Sequence, residues 1–295
     1  MKTEVRPGKY VIAVSGGVDS VVLLHMLVRT PEVQLIVAHF DHGIRTDSIE
    51  DRRFVAQLAK AYKLPFIYDE GRLGNRASEA TAREARYAFL QEVQKKSGAH
   101  AIITAHHQDD VIETAILNLL RGTGRKGLSS LRSTDSFVRP LLGVPKTELI
   151  TYAKAHNLKW REDSTNSDET YVRNYVRHNL VPKLTSKQRK ELLLYITRMH
   201  DVNHNIDMEL ANHLHMQPET TQLNRRYFIQ LPHSIAKEVL ATWLRRAGIR
   251  DFDSRTLQRI VVGAKTLDVG ASIDVDVSHK IVVTKSNLAL ELRDR

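Results

Sequence analysis

Four short apolar runs in the first 105 residues, interleaved with stretches of helical spacing, restrict the fold more than any other feature of this chain. The runs are Tyr10–Val14, Leu35–His39, Pro65–Tyr68 and Ala101–Ala105. The stretches Ser20–Arg29, Asp47–Tyr62, Ser78–Ser97, Gln108–Leu120 and Lys146–Asn157 carry apolar residues at three- and four-residue intervals. This alternation predicts an α/β fold, a Rossmann-like parallel sheet flanked by helices. In such sheets ligands sit beyond the carboxyl ends of the strands. Polar clusters fall there: Ser15–Ser20 after the first run, His39–Arg45 at the end of the second, and Ala105–Asp110 after the fourth.

The first cluster reads Ser15-Gly16-Gly17-Val18-Asp19-Ser20. A glycine pair at a strand-to-helix turn lets backbone N–H groups approach a phosphate closely, and the helix N-terminus adds the positive end of its dipole. Ser15 and Ser20 offer hydroxyls to phosphate oxygens, and Asp19 offers a carboxylate to a bridging Mg²⁺. No Gly-Lys-Ser/Thr follows, so the loop is not a Walker A motif. The plain alternative is an N-cap turn.

The second cluster spans Thr104–Thr114. With a helix starting at His106, residues His106, Asp110 and Glu113 share one face and Asp109 lies on the next. One imidazole and two carboxylates in a cleft suit a divalent cation or a cationic group such as an amine. An acid-rich first turn that complements the helix dipole is the alternative, and zinc lacks a clear third ligand. Arg83 and Arg86 stand one turn apart in a helical pattern. Arg173, Asn174 and Arg177 flank Tyr175, an arrangement that suits phosphate contact and base stacking or a charged helix face.

The 295 residues contain no cysteine. That excludes disulfides, cysteine-bound zinc or iron–sulfur centres, and any mechanism through a protein thiolate or persulfide in this chain. A net charge of +10 favours a polyanionic partner. With no run of 18 apolar residues and no signal-peptide core, a cytoplasmic location is expected. The pattern divides into 1–182, a helical linker over 183–216, and a small α+β unit over 217–295. That last unit has helices at Ile235–Ala247 and Ser254–Gly263 and strands at Ile273–Val277, Ile281–Thr284 and Leu288–Leu292. Residues 173–200 hold seven Lys/Arg against Glu191 alone, and residues 224–259 hold eight against three acids.

Further elements stand in order with these: Ala82-Arg83-Glu84-Ala85-Arg86-Tyr87, Leu120-Arg121-Gly122-Thr123-Gly124, Arg139-Pro140-Leu141-Leu142 and Asp163-Ser164-Thr165-Asn166. From residue 10 to about 182 the set resembles the tRNA(Ile)-lysidine synthetases of the N-type ATP pyrophosphatase superfamily. The first loop alone indicates only the superfamily. The resemblance implies a ligase that uses ATP to adenylate the wobble cytidine of the tRNA(Ile) with a CAU anticodon. Free lysine then displaces AMP, giving lysidine.

The resemblance also implies roles for particular residues. Ser15, Gly16, Gly17, Val18, Asp19, Ser20, His39 and Arg45 would bind ATP. Asp19 and Asp110 would hold magnesium, and with Arg86 would serve the chemistry. His106, Asp110 and Glu113 would recognise lysine, while Arg83, Arg121, Arg173, Asn174 and Arg177 and the 217–295 unit would contact tRNA. A homodimer is compatible with it. Two departures stand out: Gly127-Leu128-Ser129-Ser130-Leu131 lacks the second glycine of the family's Gly-Leu-x-Gly-Met, and longer members carry a further domain. RNA-thiolating pyrophosphatases share the loop but generally need cysteines. Ammonia-using amidotransferase types fit the carboxylates and basic tail poorly, and a non-catalytic RNA-binding protein would not need Asp19, Asp110 and Glu113.

Overall fold

The computed structural model describes residues 4–41, 48–71, 79–122, 125–129, 131–161, 172–213, 221–249 and 252–293. They form two compact units, one of residues 1–121 with 128–195 and the other of 122–127 with 196–295.

The first unit is built on five parallel strands, β1 (Gly8–Ala13), β2 (Val33–Asp41), β3 (Phe66–Glu70), β4 (Ala101–Ile103) and β5 (Phe137–Val138), in the order β3-β2-β1-β4-β5. Alternate side chains of β1 serve opposite faces, as the two-residue strand period requires. Tyr10 and Ile12 join Val22, Leu23, Leu141 and Leu149 on one side, and Val11 joins Phe89, Leu90, Val93 and Ile102 on the other. Both faces are covered, which explains why the strand reads as a continuous apolar run.

Helices α1 (Val18–Leu27), α2 (Ser48–Ala61), α3 (Glu79–Ser97), α4 (Gln108–Leu120), the short α5 (Arg125–Leu128) and α6 (Lys146–Ala155) intervene between or follow the strands. Nine of the ten residues of α1 are buried, so it lies inside the layer rather than on its surface. Past α6, the four-residue α7 (Val172–Tyr175) runs into a π-helical segment, Val176–Leu180, and a 3-10 turn, Val181–Lys183. Val176 and Val181 pack against Ile112 and Leu117 of α4. The long helix α8 (Ser186–His213) follows, and the division between units falls within it.

The second unit pairs β6 (Gln222–Asn224), β7 (Ser272–Asp274), β8 (His279–Val283) and β9 (Asn287–Leu292) in an antiparallel sheet of order β6-β9-β8-β7. Helices α9 (Arg225–Gln230), α10 (His233–Arg246) and α11 (Ser254–Thr266) cover it around Phe228, Trp243, Ile260 and Ile281. Sequence spacing missed β5, β6 and α9, which are two, three and six residues long and too short to show a period. Several cations of this unit are tied to its own backbone. Arg225 donates to the carbonyls of Ala264 and Leu267, and Arg259 donates to that of Asp274.

Candidate active site

Strand order reverses between β1 and β4: β1 leads toward β2 on one side, β4 toward β5 on the other. A parallel sheet opens a crevice beyond the carboxyl ends at such a switch point. The loops that follow β1 and β4 therefore meet there, and they carry the two strongest sequence motifs.

In the first loop only one glycine is conformationally required. Gly16 has φ +98°, a region that L side chains rarely adopt, whereas Gly17 is an extended N-cap with φ −70°. Ser20 is 4% exposed and its hydroxyl is spent on the loop itself. It accepts from the amides of Ser15 (3.2 Å) and Gly16 (3.3 Å) and donates to the Gly17 carbonyl (2.9 Å). The Gly17 amide donates to the Ser15 hydroxyl at 3.3 Å. Both hydroxyls thus help hold the turn in shape, Ser20 through its own proton and Ser15, which is exposed, as an acceptor. The anion donors left by this arrangement are the first-turn amides of α1, from Val18, Asp19 and Ser20, which have no intrahelical acceptor.

The second motif is arranged differently from its sequence reading. Helix α4 starts at Gln108 with His107 as N-cap, so His106 precedes the helix and does not share a face with Asp110 and Glu113. His107 takes the place expected of His106. Its Nε2 lies 3.6 Å from Asp19 Oδ2 and 3.5 Å from Asp110 Oδ2, and its backbone amide donates to Asp110 Oδ2 at 2.9 Å. Burial disfavours the imidazolium, but Asp19 and Asp110 outweigh it and His107 is raised above its ordinary value. Burial likewise opposes ionisation of Asp19, yet His107 and Lys146 hold it below the usual carboxylate range. Burial dominates at Asp110 and raises it.

Lys146 begins α6 and brings Nζ to 3.6 Å from Asp19 Oδ2. Asp19 Oδ1 is buried without a hydrogen-bond partner among the described residues. Two carboxylates, one with an orphaned buried oxygen, fit a hard cation that draws its other ligands from phosphate and water. Among the described residues no cluster of three or more His, Cys, Asp or Glu assembles a complete metal cage.

His106 faces cations instead. Its Nδ1 lies 2.8 Å from the Thr104 hydroxyl, and burial together with Arg139, Arg86 and Arg83 pushes it down to about 3. Those arginines rest on an aromatic pair, Tyr87 and Phe137, whose rings are 5.0 Å apart. Arg83 lies 4.8 Å and Arg86 5.6 Å from the Tyr87 ring, and Arg139 lies 5.5 Å from that of Phe137. Burial lowers Arg86 from its ordinary value. Arg139 Nε is buried without a partner among the described residues.

Glu113 is 2% exposed and already engaged. It accepts from Arg173 Nε at 2.5 Å and Arg177 Nε at 2.8 Å, and Arg177 Nη2 also lies 3.5 Å from Asp110 Oδ1. These two arginines, expected to face RNA, face the carboxylates. Asp109 serves structure: it pairs with Arg189 at 3.0 Å and receives the Lys146 amide at 3.5 Å. His39 is buried, and its Nδ1 lies 2.8 Å from the Val14 carbonyl, which ties β2 to the first loop; burial lowers its pKa. Asn174 lies in α7 and Arg121 is exposed at the end of α4. Arg45 and Asp163–Asn166 lie outside the described residues.

His107 and Arg139 stood within the motifs read from the sequence without a role of their own, and Lys146 was only the first residue of an expected helix. Lys146 had a usable signal, since Gly143-Val144-Pro145-Lys146 follows β5 as the earlier motifs follow β1 and β4.

A model of the PP-loop domain family matches residues 1–184. The chain belongs to the PP-loop domain family. Among curated relatives, the tRNA(Ile)-lysidine synthase of Nitrosomonas europaea is 35% identical over 283 residues, covering 88% of this chain and 60% of that protein. The protein of the same name from Geobacter sulfurreducens is 42% identical over 192 residues, covering 61% of this chain and 41% of its own length. The chain thus spans less than two thirds of either relative. The solved U34-tRNA thiolase NcsA from Methanococcus maripaludis, with its [4Fe-4S] cluster, aligns at a TM-score of 0.54 and 17% identity. It covers 66% of this chain and 73% of the thiolase, a likeness of PP-loop fold alone.

Proposed function

We propose that this PP-loop protein is a tRNA(Ile)-lysidine synthetase. The observation that carries the reading is the placement of Asp110. Its Oδ2 faces His107 and through it the Asp19 end of the first loop, while its Oδ1 faces Arg177 and the Glu113 end. One carboxylate therefore joins a nucleotide-binding end to an amine-binding end. The relatives named tRNA(Ile)-lysidine synthase support the same assignment.

The residues divide the work as follows. The first-turn amides of α1 and the Lys146 ammonium receive the triphosphate. Asp19 and Asp110 would hold Mg²⁺, which when bound neutralises phosphate charge. The cytidine C2 oxygen attacks the α-phosphorus of ATP, an O–P bond forms and pyrophosphate leaves. Preorganised amides and cations favour this step because they need no reorganisation as charge moves to the leaving group.

Lysine's ε-ammonium docks against Asp110 and Glu113. Asp110, whose pKa burial raises, accepts the ammonium proton, and the amine so freed attacks C2. A C–N bond forms, the C2–O bond breaks and AMP leaves. Arg83, Arg86 and Arg139, with neutral His106 beside them, offer guanidiniums to RNA phosphate and aromatic rings to an unstacked base. An anticodon base is single-stranded and can be extruded at modest cost.

The test is incorporation of labelled lysine into transcripts of tRNA(Ile) with a CAU anticodon, compared with methionine tRNA, with Asp110→Ala as control. ATP-dependent labelling of the isoleucine tRNA alone is expected. ATP-dependent pyrophosphate release without lysine transfer would overturn the reading.

A further inference from the structure

We propose that RNA and lysine bind with positive coupling because both break one set of ion pairs, those of Arg173 and Arg177 with Glu113 and Asp110, RNA by taking the arginines and lysine by taking the carboxylates. The inference rests on the function proposed above.

The carboxyl group of Glu113 is 3% exposed, and each of its oxygens already accepts from a guanidinium. Arg177 also reaches Asp110. One buried and one part-buried carboxylate thus face two guanidiniums. A lysine ammonium entering this arrangement would bring an uncompensated cation into a poorly solvated site, which is disfavoured. Lysine therefore needs the arginines to leave, or at least to turn outward.

The arginines are placed to do so. Their side chains are 30% and 36% exposed, so each is open in part to solvent while its Nε holds Glu113. They stand four residues apart, on α7 and the π-helical segment that follows it. Such segments often interrupt helices at functional sites. A guanidinium matches phosphate as well as carboxylate, in a bidentate fork. RNA phosphate arriving at this surface draws the arginines off Glu113 and hands its carboxylate to lysine. The exchange moves charge between partners without burying a new one. It also favours lysine once RNA is present, and the coupling must be reciprocal.

Calorimetric titration of L-lysine into the protein, alone and saturated with a CAU anticodon stem-loop, tests this. Lysine is expected to bind roughly 10-fold more tightly with RNA present, within the usual range of coupling between sites. Saturating lysine should tighten RNA by the same factor. Arg177→Gln and Arg173→Gln should bind lysine more tightly than the parent without RNA, and each should show a smaller RNA effect. Equal lysine affinity with and without RNA in the unaltered protein overturns the inference, and this arm needs no variant to fold. If lysidine forms normally while coupling is absent, only the inference fails. If no lysine is transferred at all, the functional reading beneath it fails first.

Discussion

Replacing Glu113 by Gln separates the two ends of the site. Glutamine keeps the shape but offers one acceptor oxygen where the carboxylate offers two, and it turns an N–H₂ toward one of the guanidiniums. One of the charge-assisted bonds, at 2.5 and 2.8 Å, is therefore lost. Hydrogen bonds to charged groups contribute ~1.5–3 kcal/mol each. Here the freed arginine is already about one third exposed and regains water, so the folded protein should lose only ~1–2 kcal/mol, a few degrees in Tm. Lysine loses a buried ionic partner that it cannot replace with solvent. The same ~1.5–3 kcal/mol then appears as a roughly 10- to 150-fold rise in the lysine concentration needed for half-maximal transfer. Adenylation, followed as pyrophosphate release with ATP and tRNA but no lysine, depends on the Asp19 end and should stay within about twofold. The reasoning is refuted if Glu113→Gln depresses adenylation and lysine transfer equally, or leaves the lysine requirement unchanged.

Lys146→Met should slow adenylation by roughly 10- to 100-fold, the usual scale for removing one preorganised cation or donor, while the lysine requirement stays near that of the parent; pyrophosphate release under saturating tRNA checks it. Gly16→Ala should be destabilising by ~1–3 kcal/mol and weaken ATP binding because φ is +98° there, whereas Gly17→Ala, at φ −70°, should keep the parent's Tm. His25 and His106 fix the acid limb of stability. Burial with Arg29 and His156 pushes His25 down to about 4, and His106 is held at about 3. The unfolded chain takes up these protons near pH ~6.5, so their contribution is present above that pH and is lost as pH falls toward about 4 and about 3. Melting temperatures should therefore fall as the pH is lowered from about 7.5 to about 4.5, and less steeply in His25→Asn; a flat profile in the parent contradicts the assignment.

The parallel sheet was legible because β1 and β2 are buried on both faces and so read as unbroken apolar runs. Tyr10, Val11 and Ile12 are all buried, on alternate sides. The placement of the site was legible for the same reason, since loops at one edge of one sheet must be neighbours. What spacing could not supply was the start of α4 in the active-site context. A helix begun at His106 puts that residue beside Asp110, but His107 caps α4 and occupies the place, because its own amide and ring both engage Asp110. Nor could spacing pair Arg173 and Arg177 with Glu113, a contact between residues 60 and 64 positions apart. Lys146 carried only a positional signal, because the two-residue β5 that precedes it leaves no periodic trace.

The account stands on the nucleotide and amine ends sharing Asp110. A crystal structure with a non-hydrolysable ATP analogue, Mg²⁺ and L-lysine measures this directly. The account predicts the triphosphate at the amides of Val18–Ser20 and at Lys146, with the lysine ammonium within hydrogen-bond reach of both Asp110 and Glu113. Lysine seated away from Asp110, or a triphosphate that leaves Asp19 and Lys146 untouched, would contradict it.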